Sequence, residues 1–284
     1  MSTLQWYPGH MTKAKRQMSE DLKLIDLIIE LLDARAPKSS QNPDIDKMVA
    51  NKSRIVLLTK SDLADKSINE KWVEYFTANS TGCVCLDLRN NHGMKPVREI
   101  ILKACSEKIE RNKKKGIKNR PIRAMIVGIP NVGKSTFINS YAKKSVAKTG
   151  NKPGVTKGRQ WIRLDKNVEL LDTPGILWPK FDDTTVGEHL GMIGSIKDEV
   201  MDLGELAVNL IKYLQSNYPG SISNRYEIDE NNEPFEVLMM LSKKRGCIKK
   251  GNEVDYDKGS RLFLNDFRSG QLGKISLESP SQLF

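Results

Sequence analysis

The sequence predicts an α/β fold: a doubly wound, mostly parallel sheet followed by an all-α domain. Three observations predict it. Between residues 27 and 172, short apolar runs of strand length alternate with longer stretches of helical periodicity, the pattern of a sheet wound with helices. Gly128-Ile129-Pro130-Asn131-Val132-Gly133-Lys134-Ser135 spells G-x-x-x-x-G-K-S, and it stands between a strand-like and a helix-like run, where such a loop belongs. After Gly175 the alternation stops, and from about Thr185 helical stretches dominate. The expected division is therefore a sheet domain over 1–180, with an N-terminal arm, and a helical domain over 181–284.

The elements follow in order. Trp6-Tyr7-Pro8-Gly9-His10-Met11 sets two aromatics, a turn pair and a histidine at the start, and Thr12 to Leu24 reads as a basic amphipathic helix. Leu27–Leu32 is the first strand, closing on Asp33-Ala34-Arg35-Ala36-Pro37. A polar loop over Lys38–Pro43 and a short helix lead to Ile55–Leu58, a second buried strand ending in Thr59-Lys60-Ser61-Asp62. Residues 67–78 read as a helix, Cys83–Leu86 as the third strand, Asp87–Gly93 as its loop, and Pro96–Arg111 as one helix. Arg111, Lys113, Lys114, Lys115, Lys118, Arg120 and Arg123 then form a basic run, read either as a solvated linker or as a phosphate-contacting strap. Ile122–Val127 is the strand before the glycine-rich loop, and Ser135–Tyr141 the helix after it. Asn151–Thr156 is turn-rich, Gln160–Leu164 and Val168–Leu171 are two further strands, and Asp172-Thr173-Pro174-Gly175 follows the last. In the second domain the expected helices are Ile196–Ser216, Pro234–Arg245 and Gly259–Ser269.

Composition narrows the function classes. Hydrophobic residues make up 38% of the 284-residue chain and charged residues 29%, and no apolar run approaches the ~18 residues of a membrane span. Residues 1–10 lack the apolar core of a secretory signal, so no membrane association and a cytoplasmic location are expected. A net charge of +11 points to a polyanionic partner such as nucleic acid. Cys83, Cys85, Cys105 and Cys247 form no C-x-x-C pair, and the alternating Cys83 and Cys85 read as core thiols on one strand face.

The glycine-rich loop binds phosphate by curling its backbone so that several N–H groups point inward at the head of a helix. Asn131, Val132, Gly133, Lys134, Ser135 and Thr136 are its candidate contacts; Lys134 adds a charge for the β- and γ-phosphates, and the Ser135 hydroxyl can ligate Mg²⁺. The base is read by Thr59, Lys60, Ser61 and Asp62 at the carboxyl end of a buried strand, where ligands of such sheets lie. The Asp62 carboxylate can accept from both N1–H and the exocyclic amine of guanine, whereas adenine presents an acceptor at N1. The Lys60 stem can cover the base face. The expected ligand is therefore GTP or GDP with Mg²⁺. Asp172 sits at or just outside the metal's ligand shell, Gly175 donates its N–H to the γ-phosphate, and Thr156 is the candidate Mg²⁺-sensing threonine of the first switch.

The order is that of a circularly permuted P-loop GTPase: the base-reading motif precedes the phosphate loop, residues 110–121 join the old ends, and the segment after Gly175 runs into the helical domain, which would couple the second switch to it. With these motifs the sequence resembles the circularly permuted ribosome biogenesis GTPase A family. The resemblance rests on Trp6–Met11, Asp33–Arg35, Thr59–Asp62, Gly128–Ser135, Pro153–Thr156, Asp172–Gly175, Lys244–Gly246 and Asp266–Gly273, and so covers nearly the whole chain. It implies GTP hydrolysis coupled to assembly of the large ribosomal subunit, with the subunit precursor and its rRNA as partners, and a C-terminal helical domain that contacts rRNA. It also implies roles for Asp87 and Leu88, which match the family's loop after the third strand only loosely. The family begins its base-reading motif with Asn, which bonds the base and tethers the phosphate loop. Thr59 can replace only part of that, at a cost of ~1 kcal/mol or roughly fivefold in affinity.

Hydrolysis needs an oriented water and charge stabilisation on the γ-phosphate. Ile176 stands where many GTPases carry glutamine, so the intrinsic rate is expected to be low. Three groups could complete the site beside Lys134: His10 from the N-terminal arm, K⁺ bound beside Asn131, or ribosomal RNA. The rival readings are a non-catalytic GTP-sensing RNA-binding module and a translation- or tRNA-related GTPase. Lys243, Lys244, Arg245, Lys249 and Lys250 are the candidate RNA contacts of the second domain, and a monomer is expected.

Overall fold

The computed structural model describes residues 18–43, 45, 49, 52–80, 82–90, 92–117, 120–142, 160–163, 167–172 and 183–282, without the side chains of Gln160 and Asp172. The chain divides into two compact units, Met1–Asp182 with Glu278–Phe284, and Asp183–Leu277. The last residues therefore belong with the first unit and not with the helices that precede them.

The first unit is built on a six-stranded sheet in the order β3-β2-β1-β4-β6-β5. Its strands are β1 Leu27–Asp33, β2 Ser53–Thr59, β3 Cys83–Leu86, β4 Ile122–Gly128, β5 Gln160–Arg163 and β6 Val168–Asp172. All neighbours pair in parallel except β5, which runs antiparallel along β6. Parallel strands covered on both faces read as continuous apolar runs rather than alternating ones, and β1 shows why. Every residue from Leu27 to Asp33 is buried, so successive side chains, which point to opposite faces, both find partners. One face carries two clusters. Ile28, Met125, Val127 and Leu171 pack with Met18, Leu22, Ile25, Ile45 and Val49, while Leu32, Val56 and Leu58 pack with Trp72 and Phe76.

The helices of this unit are α1 Pro37–Ser40, α2 Lys66–Asn79, α3 Met94–Ala104, α4 Ser106–Lys114 and α5 Lys134–Ala142. Two differ from the sequence expectation. The stretch read as the loop Lys38–Pro43 starts with a helical turn, because Pro37 presets the first turn and Glu278 caps it. Its carboxylate accepts from Lys38 N at 2.7 Å and Ser39 N at 3.1 Å. The single helix expected over Pro96–Arg111 is two helices that meet at Cys105. Val97, Ile101 and Cys105 are buried, whereas no residue of α4 is, so the charged run has no core to follow.

The second unit holds α6 Thr184–Met192, α7 Leu203–Asn217, α8 Ser221–Tyr226, α9 Pro234–Lys244 and α10 Tyr256–Ser269. The expected helix from Ile196 starts instead at Leu203, because the Asp202 carboxylate caps it by accepting from Glu205 N at 3.0 Å, which leaves residues 196–201 outside α7. Similarly, Asp255 accepts from Lys258 N at 3.1 Å and sets the start of α10 three residues before Gly259. Gly204 lets α7 approach α10 closely: a Cβ there would lie 2.0 Å from the Tyr256 hydroxyl oxygen. The Asp266-Phe267-Arg268 signature ties this unit together. Arg268 donates to Met192 O at 3.0 Å, to Gly191 O at 2.7 Å and to both Asp198 carboxylate oxygens, at 3.1 and 2.8 Å. Asp266 accepts from Arg225 at 2.8 Å and from the Tyr226 hydroxyl at 3.0 Å.

No helix among the described residues is long and apolar enough to cross a membrane. All four cysteines are free thiols, and burial pushes Cys85 and Cys105 up to about 11, far from a thiolate at neutral pH.

Candidate functional site

Because β1, β2, β3, β4 and β6 are parallel, Asp33, Thr59, Leu86, Gly128 and Asp172 all emerge on one edge of the sheet. The loops after β1, β2, β3 and β4 start on that edge, where strand ends leave backbone groups available to a ligand. Sequence order is irrelevant to this convergence. In the sheet β4 lies between β1 and β6, although β1 precedes it by about ninety residues.

The loop after β4 starts at Gly128, where a Cβ would lie 2.6 Å from Leu31 O on the neighbouring strand, so no other residue fits without moving β1. Asn131 takes the left-handed conformation at φ 59° and Gly133 a positive φ of 103°, which turn the backbone into the head of α5. Lys134 is only 8% exposed; its ammonium donates to Gly128 O at 2.9 Å and Ile129 O at 2.8 Å, so the charge sits inside the curl of the loop. Val132 is buried, Asn131, Gly133 and Ser135 are half-buried, and Thr136 is exposed on the first turn of the helix.

The loop after β2 is locked to the loop after β4. Thr59 is fully buried, with its Oγ1 2.6 Å from Val132 O and 3.1 Å from Leu32 O. One hydroxyl hydrogen can serve one acceptor, and the shorter contact assigns it to Val132. The tether attributed to asparagine in the family is thus made here by a hydroxyl. Lys60 adopts φ 55°, which turns the chain sharply after β2, and its ammonium pairs with Asp33 Oδ2 at 2.8 Å. Ser61 N donates to Leu86 O at 3.2 Å, joining this turn to the end of β3. Asp62 is half-buried, and among the described residues its carboxylate makes no hydrogen bond or ion pair, which leaves both oxygens to accept from a ligand.

The loop after β3 completes the group. Leu88 reaches the phosphate-type loop: a Cβ on Gly133 would be 3.3 Å from Leu88 Cδ1. Asp87 organises its own turn, accepting from Arg89 N at 3.0 Å, Asn90 N at 3.2 Å and Asn90 Nδ2 at 2.7 Å. Burial raises its pKa, but these hydrogen bonds outweigh burial and the net shift is down.

One buried ion pair at this edge lies outside the expected site residues. Asp33 and Arg35 are 0% and 1% exposed and form a two-pronged ion pair, with Arg35 Nε and a terminal nitrogen at 2.9 and 2.8 Å from the two carboxylate oxygens. With Lys60 this makes one carboxylate between two cations. Burial alone would raise the Asp33 pKa, but Arg35 and Lys60 overcome it and hold the carboxyl far below the usual range. Burial pulls Lys60 down; Asp33 opposes that and Arg35 adds to it. The signal was present in the sequence, an acid at a strand's carboxyl end followed two residues later by Arg, but a pair that short also suits an ordinary turn.

The structure therefore gathers Thr59, Lys60, Ser61, Asp62, Asp87, Leu88 and the residues from Asn131 to Thr136 on one edge. Asp172 ends β6 on that edge, opposite Gln160 of β5. His10, Thr156 and Gly175 lie outside the described residues, as does the switch segment expected to lead into the helical unit. Of the basic residues proposed as RNA contacts, Lys244 pairs with Glu227 at 3.2 Å, and Arg245 donates to Arg225 O at 3.0 Å and lies 5.0 Å over the Tyr226 ring. Lys243, Lys249 and Lys250 are exposed.

Comparison with known proteins adds the following. A family model described as 50S ribosome-binding GTPase matches residues 123–241. A protein of Bacillus cereus named ribosome biogenesis GTPase A is 46% identical over 280 residues, spanning 98% of this chain and 95% of its own length. One of the same name from Thermotoga maritima is 33% identical, spanning 99% and 96%. The crystal structure of GNP-bound YlqF from T. maritima superposes with a TM-score of 0.68 at 29% identity, covering 94% of this chain and 98% of that one.

Proposed function

The chain belongs to the ribosome biogenesis GTPase A family, and from that premise we propose that it hydrolyses GTP to promote a late step of large-subunit assembly, in the cytoplasm, as a monomer, touching ribosomal RNA. That it is a guanine-nucleotide-binding GTPase of ribosomal subunit assembly follows from the membership itself. The residue roles, the step and the partners are the proposal.

One observation carries the residue assignment: the Thr59 hydroxyl bound to Val132 O at 2.6 Å. It joins the candidate base-reading turn to the candidate phosphate loop, so one ligand with a base at one end and phosphates at the other meets both. In this reading the N–H groups from Asn131 to Thr136 hold the phosphates, Lys134 neutralises the β- and γ-oxygens, and Leu88 and the Lys60 stem flank the base. The Asp62 carboxylate accepts from the two guanine N–H groups.

The donor set fits Mg²⁺. Ser135 supplies a hydroxyl at the head of α5, and β4 and β6 are parallel neighbours, Met125 opposite Leu171, so Asp172 comes off the sheet beside the strand that feeds the loop. Ser135, with Thr156, would ligate the ion and Asp172 would orient its water; when bound, the ion draws charge from the phosphate oxygens. Asn131 is the proposed neighbour of an activating K⁺. Ile176 cannot orient water, so His10, K⁺ or RNA must complete the chemistry, with Gly175 meeting the γ-phosphate.

Two measurements test this. Asp62→Asn loses two charge-assisted hydrogen bonds, about 3 kcal/mol or ~100-fold in GTP affinity. The new amide should favour xanthosine triphosphate, which carries an oxygen where guanine has its amine. Unchanged GTP affinity would remove Asp62 from the site. GTP turnover at fixed K⁺ and Mg²⁺, with and without large-subunit precursors, for the unmodified chain and His10→Ala, tests the chemistry. Stimulation lost in the variant with binding intact assigns His10 to hydrolysis; equal stimulation assigns the task to RNA or the cation. No stimulation of either overturns the catalytic reading in favour of a nucleotide-sensing module.

A further inference from the structure

The basic excess of the chain is not shared between its units. Asp183–Leu277 holds twelve Lys and Arg against fifteen Asp and Glu, a net −3, so the rest of the chain carries +14. The basic excess of the chain therefore lies in the sheet unit.

Within the sheet unit one flank combines this charge with an exposed aromatic. Arg123 of β4 and Arg163 of β5 both stand opposite Glu169 of β6, so the three side chains form a cross-strand row on one face. Trp161 lies two residues from Arg163 and hence on that same face. It is 41% exposed, with the Arg123 guanidinium 5.3 Å from its ring centroid. Glu169 is 3.8 Å from Arg123 and is the only carboxylate in the row. The helix α4 is tied through Asp26 to the backbone of Arg123, at the amino end of β4. That carboxylate takes the Lys108 ammonium and accepts from Arg123 N at 3.2 Å, while Asp26 N donates to Arg123 O at 2.8 Å. Beyond Lys108, α4 buries nothing, and Lys113, Lys114 and Lys115 project into solvent. From Arg111 to Arg123 the sequence contains seven basic residues and no acid.

We propose that this β4–β6–β5 flank with α4 is a single-stranded RNA-binding face, on which Trp161 stacks a base and Arg123, Arg163 and Lys113–Lys115 contact phosphates. It rests on the ribosomal reading above for RNA as the polyanion. The chemistry is that of sequence-tolerant single-strand binding: an aromatic platform for any base face, and a basic track for the backbone. The row sits at the second residue of β4 and of β6, toward the amino ends of the parallel strands, and Trp161 stands two residues further along, opposite Leu171.

The test uses the full chain and a fluorescein-labelled 16-nucleotide single-stranded RNA of mixed sequence, titrated at several salt concentrations. Trp161→Ala should weaken binding about fivefold or more, and Trp161→Phe should restore most of it. Lys113→Gln/Lys114→Gln/Lys115→Gln should flatten the slope of log affinity against log salt by up to about 2. Both should keep the unmodified thermal midpoint and GTP turnover. RNA affinity unchanged by both, or lost only in Lys249→Gln/Lys250→Gln, overturns the proposal. So does tighter binding to phosphatidylglycerol vesicles that the same variants abolish, which would make the face a membrane contact. Failure is separable from failure of the GTPase reading: intact turnover with RNA affinity indifferent to these variants removes only this face. RNA binding that depends on Trp161 without any turnover keeps the face and removes only the chemistry.

Discussion

Replacing Asp33 by Asn should cost the sheet unit most of a buried charge network. The carboxylate is fully buried and holds Arg35 through both oxygens, at 2.9 and 2.8 Å, and Lys60 at 2.8 Å. Asn keeps the shape but removes the negative charge that Arg35 and Lys60 share. Breaking a buried pair by deleting one partner costs about 3–5 kcal/mol. The Lys60 end is 27% exposed, so water recovers part of its share, and about 3 kcal/mol is expected. For a unit of this size that is about 6–12 °C in the unfolding midpoint. The assay is urea and thermal unfolding of the nucleotide-free chain, followed through Trp72, which is buried in this unit. The pH dependence has a definite sign. The folded pKa of Asp33 lies below its unfolded value, so its contribution is fully present above about pH 4 and is lost as pH falls further toward the folded pKa. The gap between Asp33→Asn and the unmodified chain should therefore be flat from pH 5 to 8 and shrink below about 4. A loss under ~1 kcal/mol at pH 7, or a gap that does not close in acid, would refute the charge-compensation argument.

Three further outcomes follow from the same edge and its supports. Thr59→Val keeps volume but strands Val132 O, so stability should drop by about 1–3 kcal/mol and fluorescent GDP should bind more weakly, as equilibrium unfolding and titration will read. Gly128→Ala places a methyl 2.6 Å from Leu31 O; either β1 or the loop must move, and nucleotide binding should be lost while the helical unit's own unfolding transition is kept. Glu278→Gln removes the charged cap on Lys38 and Ser39 and should cost about 1–2 kcal/mol, with hydrogen exchange at residues 37–40 accelerating as the specific sign.

The sequence by itself determined the central strands, because a parallel strand buried on both faces must be a continuous apolar run, and Leu27–Asp33 and Ile122–Gly128 are such runs. The glycine-rich loop and the Thr59–Asp62 turn were legible for a similar reason: each is a contiguous stretch. The ends of several helices were not legible. Asp202 could have been read as a cap, but the apolar periodicity from Ile196 competed with it. Cys105 divides a helix because the core stops there, which periodicity alone does not say. Tertiary structure alone decided the side-chain contacts between distant positions. The Thr59 hydroxyl finds a carbonyl 73 residues away, Lys60 finds Asp33 from 27 residues away, and Glu278 returns across 240 residues to cap Lys38. None of these has a sequence period or spacing, because each depends on which strand ends the sheet order brings side by side. That order, β3-β2-β1-β4-β6-β5, is set by packing the whole sheet.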